Sequence, residues 1–265
     1  MEIYTLQKGS YSSMATKKFL NFLNNNFKIK YCPTIYNIFE NLGFGVVPIE
    51  NSIEGSVTLT QDLLLEFKPK ILAELVMPIH HCLIGYDKKK IKTIISHPQA
   101  IAQCRKYIKM NNWNVKFVDS TAKAVEIVAK SRDETLGAIA SEESAKIFNL
   151  NILDRNIEDY KNNVTRFILI GYDNIKIKNK DAKLKSSIVF ELKEDKPGAL
   201  YHILKEFAER DINLTRIESR PSKKRLGTYI FYIDYEYKES DVLESIKKYT
   251  NFIFNFGVYP SIVID

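Results

Sequence analysis

Hydrophobic and polar positions alternate in two distinct ways along the larger, N-terminal part of the chain. The apolar run Glu2–Leu6 predicts a strand, and the helical spacing of Ala15 and Phe19 predicts a helix over Ser12–Leu23. Further strands are predicted over Lys28–Cys32, Phe44–Ile49, two runs within residues 71–86, Ile91–Ser96, Val115–Val118, Leu136–Ala140, Ile152–Leu153 and Arg166–Gly171. Helices are predicted over Ile35–Asn41 and Val57–Phe67, from Pro98, from Ala122 and after Ser141. Such repeated β-α units favour an α/β class with mainly parallel strands.

The order of these elements indicates how the larger part is divided. One β-α series precedes residue 71 and a second begins at Ile91, with an extended crossing broken at Pro78 between them. We therefore expect two lobes with a cleft between them. Because open α/β sheets bind ligands beyond the carboxyl ends of their strands, polar residues at those ends are the candidates for a site.

A second, smaller domain is predicted towards the C-terminus. The lysine-rich residues 173–185 are typical of a linker, so the segments that we predict are 1–172, 173–185 and 186–265. In the last segment, strands are expected over Ser187–Leu192, Asn213–Glu218, Gly227–Tyr237 and Phe252–Val263, with helices over Gly198–Glu209 and Ser240–Tyr249. This β-α-β-β-α-β order is the ferredoxin-like split motif.

Composition narrows the class of protein. A hydrophobic content of 45% with 27% charged residues is ordinary for a globular protein, and no window approaches the ~20 apolar residues of a membrane-spanning helix. The N-terminus lacks the apolar segment of a signal peptide, which favours a cytoplasmic location. Three cysteines without a C-x-x-C pair indicate reduced thiols. The four histidines lack metal-binding spacing, so we expect no metal. Because no apolar window is long enough to span a bilayer, we also expect no membrane partner.

The net charge of +7 raises the question of nucleic-acid binding. The lysines are dispersed or lie in runs such as Lys88–Lys90, which are typical of solvated turns. They lack the interleaved aromatic residues of a platform for single-stranded nucleic acid. We therefore expect no nucleic-acid partner, and the same charge suits a small polyanionic substrate.

Four polar clusters lie at the ends of predicted strands in the larger part. The stretch VPIENSIEGSV (residues 47–57) is a strand-to-helix turn whose amides and hydroxyls suit an anion, or it is a simple helix cap. The stretch NNVTRF (residues 162–167) contains Arg166. This arginine either binds a planar carboxylate or is a surface cation. His97 is either a general acid or base or, more often for such a residue, structural. Lys8–Ser12 suits an anion at a helix start but lacks the full P-loop signature.

The smaller domain carries two further marks, DKPGAL (residues 195–200) and ESRP (residues 218–221). Gly198 lies at a strand-to-helix turn, where a glycine lets backbone amides approach a ligand carboxylate. No nucleophile with a matching base occurs in this domain, so we expect a binding module.

Taken together, these stretches resemble the prephenate dehydratase family. VPIENSIEGSV and NNVTRF are similar to two signatures of that family, and SHPQAIAQC and VDSTAKAVEIVA are similar to the blocks between them. PGAL and ESRP are similar to the L-phenylalanine motifs of its ACT domain. The six motifs occur in the family's order over nearly the whole chain. One departure is Leu6-Gln7, where members usually have Gly-Pro, and a minor one is Gly257-Val258 in place of Gly-Ser.

The resemblance implies a fold and an activity. The fold is a two-lobed catalytic domain similar to type 2 periplasmic binding proteins, followed by an ACT domain. The activity is conversion of prephenate to phenylpyruvate with loss of CO2 and water, in L-phenylalanine biosynthesis and without a cofactor. Feedback inhibition by L-phenylalanine and a homodimer or homotetramer are also implied. Two alternatives stay open: a cyclohexadienyl dehydratase that also accepts arogenate, and a non-catalytic amino-acid sensor.

The resemblance also implies site residues. Thr165 is the donor to the departing hydroxyl, and Glu50 is either a general acid or an orienting residue, of which we favour the second. Substrate binding is expected from Ser10, Asn51, Ser52, Gly55, Ser56, Gln99, Gln103, Ser120, Thr121, Asn163, Arg166 and Phe167. Binding of L-phenylalanine is expected from Gly198, Ala199, Leu200, Glu218, Ser219, Arg220 and Pro221, where the Gly198 turn meets the 218–221 segment of a neighbouring subunit.

Overall fold

The computed structural model describes residues 1–24, 26–41, 43–178 and 182–264, so residues 179–181 of the predicted linker lie outside the described residues. In chain order the strands are β1 (Glu2–Leu6), β2 (Lys28–Cys32), β3 (Phe44–Asn51), β4 (Gly55–Ser56), β5 (Lys70–Pro78), β6 (Cys82–Gly85), β7 (Thr93–Ser96), β8 (Asn114–Phe117), β9 (Leu136–Ala140), β10 (Asn151–Asp154), β11 (Val164–Gly171), β12 (Lys183–Leu192), β13 (Leu214–Pro221), β14 (Tyr229–Glu236) and β15 (Thr250–Val263). The α-helices are α1 (Tyr11–Leu20), α2 (Ile35–Glu40), α3 (Thr58–Phe67), α4 (Pro98–Gln103), α5 (Arg105–Met110), α6 (Thr121–Ser131), α7 (Glu142–Phe148), α8 (Ala199–Ala208) and α9 (Val242–Lys247).

The larger part forms two lobes, as predicted. The first lobe contains the strand order β5-β11-β3-β1-β2, and the second contains β10-β6-β9-β7-β8. The expectation of mainly parallel strands is wrong, because the sheets are mixed. β1 runs parallel to β2 and β3, but β11 runs antiparallel to both β3 and β5. The reason is the path of the chain, which leaves the first lobe after β5 and returns to it through β11.

The smaller domain has the predicted order, β12-α8-β13-β14-α9-β15, with the sheet order β13-β14-β12-β15. Its two helices pack on one face of the sheet. Ile203 and Phe207 of α8 and Val242 of α9 are buried in one cluster with Phe190 of β12. The strands and helices therefore form the ferredoxin-like motif that the sequence indicates.

The sheets of the first lobe and the smaller domain are continuous, which the sequence did not predict. β15 pairs in parallel with β5, where Ser261 lies opposite Glu74 and Val263 lies opposite Val76. Within the described residues this pairing makes one ten-stranded sheet of the two. An apolar cluster that includes Ile49 of the first lobe together with Tyr232, Val189 and Phe256 of the smaller domain also crosses the junction. The smaller domain is therefore packed directly against the strands that lead to the cleft.

Two findings bear on the expectations from composition. Cys32, Cys82 and Cys104 are all buried and free, as expected of reduced thiols. In the part of the chain that the structure describes, no helix has the length and apolar character needed to cross a bilayer.

Candidate active site

A cavity of about 420 Å³ lies between the two lobes. This volume is within the usual range for sites that bind small molecules. The predicted site residues that line it are Ser10, Asn51, Gln99, Gln103, Ser120, Thr121, Thr165 and Phe167. The structure thus brings together residues from the first lobe, the second lobe and the returning strand β11.

Two helices begin at the wall of this cavity. Ser10 Oγ accepts a hydrogen bond from Ser13 N (3.2 Å) at the start of α1, and Ser120 Oγ accepts one from Lys123 N (3.1 Å) at the start of α6. Thr121, the first residue of α6, also lines the cavity. Because the N-terminal end of a helix carries partial positive charge, the two starts favour an anionic ligand between them.

The first turn, in which Gln7 departs from the family pattern, ties the two lobes together. Gln7 Oε1 accepts a hydrogen bond from Ser120 Oγ (3.0 Å) across the cleft. Gly9 has φ +89°, a conformation that glycine adopts without strain, and its carbonyl accepts from Ser141 Oγ (3.1 Å) and Ser144 Oγ (2.9 Å). The departure therefore leaves a left-handed glycine in place and adds a contact between lobes.

The turn after β3 is closed by its own asparagine. Asn51 Oδ1 accepts hydrogen bonds from Ile53 N and Glu54 N, both at 3.0 Å. Gly55 and Ser56 then run back along β3 as β4, outside the cavity lining. The amides of Ile53 and Glu54 are engaged within the turn, so the expectation that they hold a substrate anion is wrong.

A chain of neutral side chains leads from this turn to Thr165. Asn51 Nδ2 donates to Asn163 Oδ1 (2.7 Å) and to Thr165 Oγ1 (2.9 Å), and Asn163 Nδ2 donates to Gln103 Oε1 (2.8 Å). An amide nitrogen only donates, so Thr165 takes part through its oxygen lone pair. The hydroxyl hydrogen of Thr165 is left free for another acceptor. Because the side chain of Thr165 lines the cavity, a ligand there can supply that acceptor.

Ser52 and Asn163 do not line the cavity, contrary to the prediction that they bind the substrate. Ser52 Oγ accepts from Val164 N (3.0 Å) and donates to Asn162 O (3.1 Å), which fastens the turn to the start of β11. Asn163 is fully buried between Asn51 and Gln103. Asn163 holds the side chains of Asn51 and Gln103, which reach the cavity, whereas Ser52 holds only backbone, and neither residue lines the cavity.

Arg166 points away from the cavity. Successive side chains of a strand alternate between faces, so Arg166 lies opposite Thr165. Its Nη1 donates to Glu50 Oε2 (2.6 Å), and its Nη2 donates to Glu74 Oε2 (2.7 Å) and Asp234 Oδ2 (2.8 Å). The geometry contradicts the prediction that Arg166 binds a substrate carboxylate in the cleft, because its donors are occupied by protein carboxylates. Glu50 is likewise outside the cavity lining, paired with Arg166.

The charges around Arg166 stabilise one another although they are buried. Burial by itself would raise the pKa of Asp234, but the guanidinium groups of Arg216 and Arg166 hold it well below its ordinary value. For Glu74, burial is likewise outweighed by Arg166 and Lys185, so its pKa is lowered. Burial would lower the pKa of Arg166, and its carboxylate neighbours raise it instead. Each group therefore stays ionised.

The same ionic cluster reaches the segment predicted to bind L-phenylalanine. Arg216 Nε donates to Asp234 Oδ2 (2.9 Å), and its Nη1 donates to Glu218 Oε2 (3.0 Å). Glu218 Oε2 also accepts from Gln61 Nε2 (2.6 Å) and from Ser56 Oγ. Glu218 thus contacts the first lobe of its own chain, at the strand that follows the Asn51 turn.

The other residues predicted for L-phenylalanine lie in two separate places. Gly198, at φ +84°, directly precedes α8, which begins with Ala199 and Leu200. Ser219, Arg220 and Pro221 belong to β13, the edge strand of the sheet, and Arg220 is 3.4 Å from Asp62. No hydrogen bond among the described residues joins the Gly198 turn to β13.

His97 takes the capping position before α4. Its Nδ1 accepts from Gln99 N at 3.3 Å, and the ring lines the cavity, where burial lowers its pKa. In the described ranges, no group of three His, Cys, Asp or Glu side chains could hold a metal ion.

Sequence reasoning missed Glu74 and Asp234 of the ionic cluster, and also His81, which lines the cavity. Glu74 is a lone carboxylate in the apolar strand KILAELVMP, and Asp234 lies between the hydrophobic residues Ile233 and Tyr235 in YIFYIDYE. A charge in a buried strand requires a partner, so this pattern was a usable signal of a buried ion pair. His81, next to His80, carried no such signal.

Comparison with known proteins identifies the family of the chain. Residues 4–175 match the prephenate dehydratase family model, and residues 186–236 match the ACT domain model. A prephenate dehydratase of Methanocaldococcus jannaschii is 69% identical over 265 residues, which cover 97% of each chain. A crystal structure of prephenate dehydratase from Arthrobacter aurescens in complex with L-Phe has a TM-score of 0.84 and 29% identity, covering 98% of this chain and 89% of that one. The structure of GqqA, described as a quorum quenching acylase, has the same TM-score with 25% identity, covering 98% of this chain and 97% of that one.

The fold class predicted from the resemblance is confirmed. The chain belongs to the prephenate dehydratase family, as an enzyme of that class with a C-terminal ACT domain.

Proposed function

We propose that this chain converts prephenate to phenylpyruvate, with Thr165 as the donor to the departing hydroxyl group. The observation that carries the proposal is the hydrogen bond from Asn51 Nδ2 to Thr165 Oγ1, 2.9 Å long, at the wall of the cavity. It occupies a lone pair of Thr165 and leaves the hydroxyl hydrogen to the ligand. Hydrogen bonds in such a chain polarise one another, which strengthens Thr165 as a donor.

The reaction needs little more than a donor and a fixed geometry. The bond from the ring to its carboxylate breaks, and its electron pair enters the ring as CO2 leaves. The carbon–oxygen bond of the ring hydroxyl breaks and its electron pair leaves with the oxygen, and the departing hydroxide takes up a proton from the solvent to become water. A threonine hydroxyl is a weak acid, so Thr165 hydrogen-bonds the leaving oxygen without ionising. One preorganised donor of this kind contributes roughly 3–4 kcal/mol to lowering the barrier.

The substrate dianion is held by the starts of α1 and α6. Ser10, Ser120 and Thr121 lie there and line the cavity, where helix ends favour negative charge. Gln99 and Gln103, from α4 in the second lobe, orient the ring hydroxyl or a carboxylate. Prephenate therefore bridges the two lobes.

Apart from Phe167, the remaining predicted residues do not line the cavity, so they act through other residues. Asn163 holds the side chain of Gln103, Ser52 fastens the turn to the backbone of β11, and Phe167 lines the cavity itself. Glu50 is an orienting residue because it pairs with Arg166 at 2.6 Å. Gly55 and Ser56 form β4, which Glu218 contacts from the ACT domain through Ser56.

We further propose that L-phenylalanine inhibits the enzyme by binding to the ACT domain. Support comes from the Arthrobacter aurescens protein, which was crystallised with L-Phe, and from Glu218, which joins the ESRP segment to Gln61 and Ser56 of the first lobe. The amino acid binds between the Gly198 turn and the 218–221 segment of a neighbouring subunit. Inhibition follows if it binds the inactive arrangement more tightly. The homodimer or homotetramer, the cytoplasmic location and the place in L-phenylalanine biosynthesis stay predictions.

The test is to supply prephenate to the purified chain and to follow phenylpyruvate by absorbance, with and without L-phenylalanine. We expect turnover, and less of it when L-phenylalanine is present. Binding of prephenate without turnover would indicate the amino-acid sensor instead. Arogenate is assayed in parallel, and faster turnover of arogenate would reassign the substrate. Calorimetry that detects no binding of L-phenylalanine to the full chain would contradict the regulatory proposal.

A further inference from the structure

His81 lies at the inner end of the hydrogen-bond chain that begins at Asn51. It is buried in the segment that crosses from the first lobe to the second, immediately before β6. Its Nε2 is 2.8 Å from Gln103 Oε1, and its Nδ1 is 3.1 Å from the hydroxyl of Tyr11. Both His81 and Gln103 also line the cavity.

The orientation of the Asn51 amide determines the direction of the hydrogen bonds that connect Asn51, Asn163 and Gln103. The backbone amides of Ile53 and Glu54 donate to Asn51 Oδ1, so Nδ2 is the atom that faces Asn163. Asn163 must then present Oδ1 to Asn51 and Nδ2 to Gln103. An amide nitrogen requires an acceptor, so Gln103 presents Oε1 to Asn163.

This direction determines the tautomer of His81. Gln103 Oε1 accepts only, so the facing Nε2 of His81 must carry a hydrogen. Burial lowers the pKa of His81, which favours the neutral ring with Nδ1 unprotonated. The hydroxyl of Tyr11 is shared between Nδ1 of His81 and the carbonyl of His80, at 2.7 Å from the latter. The opposite tautomer would turn Gln103 over and set its amide nitrogen against that of Asn163.

The amide nitrogen of Gln103 is the group that this arrangement exposes. Oε1 is occupied by two donors, His81 and Asn163. Within the described residues, Gln103 Nε2 meets no acceptor, and it is not among the buried polar atoms that lack a partner. Since Gln103 lines the cavity, its two N–H groups are open to a ligand there.

We infer that His81 is a positioning residue, which holds the amide of Gln103 with its N–H groups facing the cleft so that they donate to an oxygen of the substrate. The inference rests on the proposed function for the identity of that substrate, a cyclohexadiene dicarboxylate. In this arrangement Gln103 and Thr165 both present hydrogens to the cavity. That polarity suits a ligand rich in oxygen lone pairs, and His81 contributes to it through Gln103.

The first experiment measures the tautomer of His81 directly. Long-range ¹H–¹⁵N NMR of the full chain at pH 7 is expected to show His81 neutral with its hydrogen on Nε2. Assignment of the His81 signals is checked by their loss in the His81→Gln variant. A hydrogen on Nδ1 alone, or a cationic ring, overturns the inference. This result does not depend on which substrate the enzyme takes.

The second experiment compares two amide replacements that differ in reach. The side-chain nitrogen of glutamine can occupy the place of Nε2, whereas that of asparagine reaches only the place of Nδ1. We expect His81→Gln to keep kcat/KM for prephenate near the wild-type value and His81→Asn to lower it about tenfold, the effect of losing roughly one hydrogen bond. Both variants lose the imidazole ring, so a shared fall in melting temperature is expected and does not separate them. Equal losses of kcat/KM in the two variants overturn the inference.

A double-mutant cycle tests whether His81 acts through Gln103. In a Gln103→Ala background, His81→Asn is expected to have no further effect on kcat/KM. A full tenfold loss in that background overturns the positioning role. If the wild type turns over neither prephenate nor arogenate, the proposed function fails instead, and the tautomer measurement still decides the orientation of Gln103.

Discussion

Thr165 and Arg166 are neighbours on β11, yet they face two regions built from different chemistry. On the Thr165 side, neutral amides and hydroxyls form a directed chain that includes Asn51 and Gln103. On the Arg166 side, the contacts are ionic, and the guanidinium is shared among carboxylates such as Asp234 of the ACT domain. One strand thus carries the candidate chemistry on one face and the domain junction on the other.

Buried charge is stabilised on the Arg166 face of β11 and would be unfavourable on the Thr165 face. Prephenate is a dianion, so a carboxylate close to it would be repulsive. The wall of the cavity at Thr165 presents neutral donors, whereas Asp119 lines the cavity beside the start of α6. At the junction, Glu74 and Asp234 are matched by Arg166 and Arg216, so charges can be buried there. Removing one partner of such a cluster leaves an uncompensated buried charge, which makes the junction sensitive to single substitutions.

The largest expected effect is on stability, at the ionic face. Arg166→Met leaves Glu74 and Asp234 without their shared cation, and we expect the free energy of unfolding to fall by about 3–5 kcal/mol. Arg166→Lys is the matched control, because it keeps the charge but loses the planar fork, and it should cost less. Urea denaturation followed by circular dichroism measures both. Equal stability of Arg166→Met and wild type would show that the cluster does not hold the junction.

The next effect is on catalysis, at the neutral face. Asn51→Asp keeps an acceptor for the amides of Ile53 and Glu54, but its second oxygen accepts where Asn51 Nδ2 donated. The hydroxyl hydrogen of Thr165 would then turn towards that oxygen and away from the ligand. We expect kcat to fall about a hundredfold, or about 2.7 kcal/mol. Glu54→Gln, an exposed change in the same turn, serves as the control. A kcat for Asn51→Asp close to that of the control would separate the turn from the chemistry.

A smaller effect is expected from acid, again at the ionic face. The folded-state pKa of Asp234 is lowered, so its contribution to stability is complete above the unfolded value of about 3.9 and is lost as pH falls towards the folded value. In that window each such group changes the free energy of unfolding by at most about 1.4 kcal/mol per pH unit. Asp234→Asn should therefore show a shallower loss of stability as the pH falls below about 4. The comparison is made by urea denaturation at each pH, and identical slopes in the two proteins would contradict the assignment.

The smallest effect on catalysis is expected from a substitution of Glu50. This residue directly precedes Asn51 in the sequence, but its side chain lies on the ionic face, where it pairs with Arg166. Glu50→Gln keeps a side-chain oxygen for Arg166, so we expect kcat within about threefold of wild type, a change of roughly 0.6 kcal/mol. The dependence of kcat on pH should be unchanged. Loss of one limb of that profile in Glu50→Gln would instead assign Glu50 the role of a general acid.

Local structure and domain order could be predicted from the sequence because each element satisfies its own pattern. The strand Leu136–Ala140 has the predicted bounds, and Ser120 caps α6 as its position before an apolar helix indicates. The opposite faces of Thr165 and Arg166 also follow from strand alternation, and the prediction for Arg166 was wrong because Arg166 lies on the face that meets the ionic cluster.

The partners of Arg166 could not be predicted in the same way. Glu74 and Asp234 are far apart in the chain and meet only because β15 pairs with β5 and joins the two sheets. Strand pairing of this kind depends on backbone groups, which every sequence carries alike. The orientation of Gln103 was hidden for a similar reason, because it depends on amides of a distant turn.

The central claim is that the hydroxyl of Thr165, aimed by Asn51, assists the departure of the leaving group. The most direct test is the turnover of prephenate by Thr165→Val, which keeps the shape of the side chain and removes only the hydroxyl. Thr165→Ser, which retains it, is measured beside it. We predict that kcat of Thr165→Val falls at least about a hundredfold, with little change in KM or melting temperature, while Thr165→Ser keeps most of the activity. A kcat for Thr165→Val within about threefold of wild type, a difference of roughly 0.6 kcal/mol, would contradict the claim.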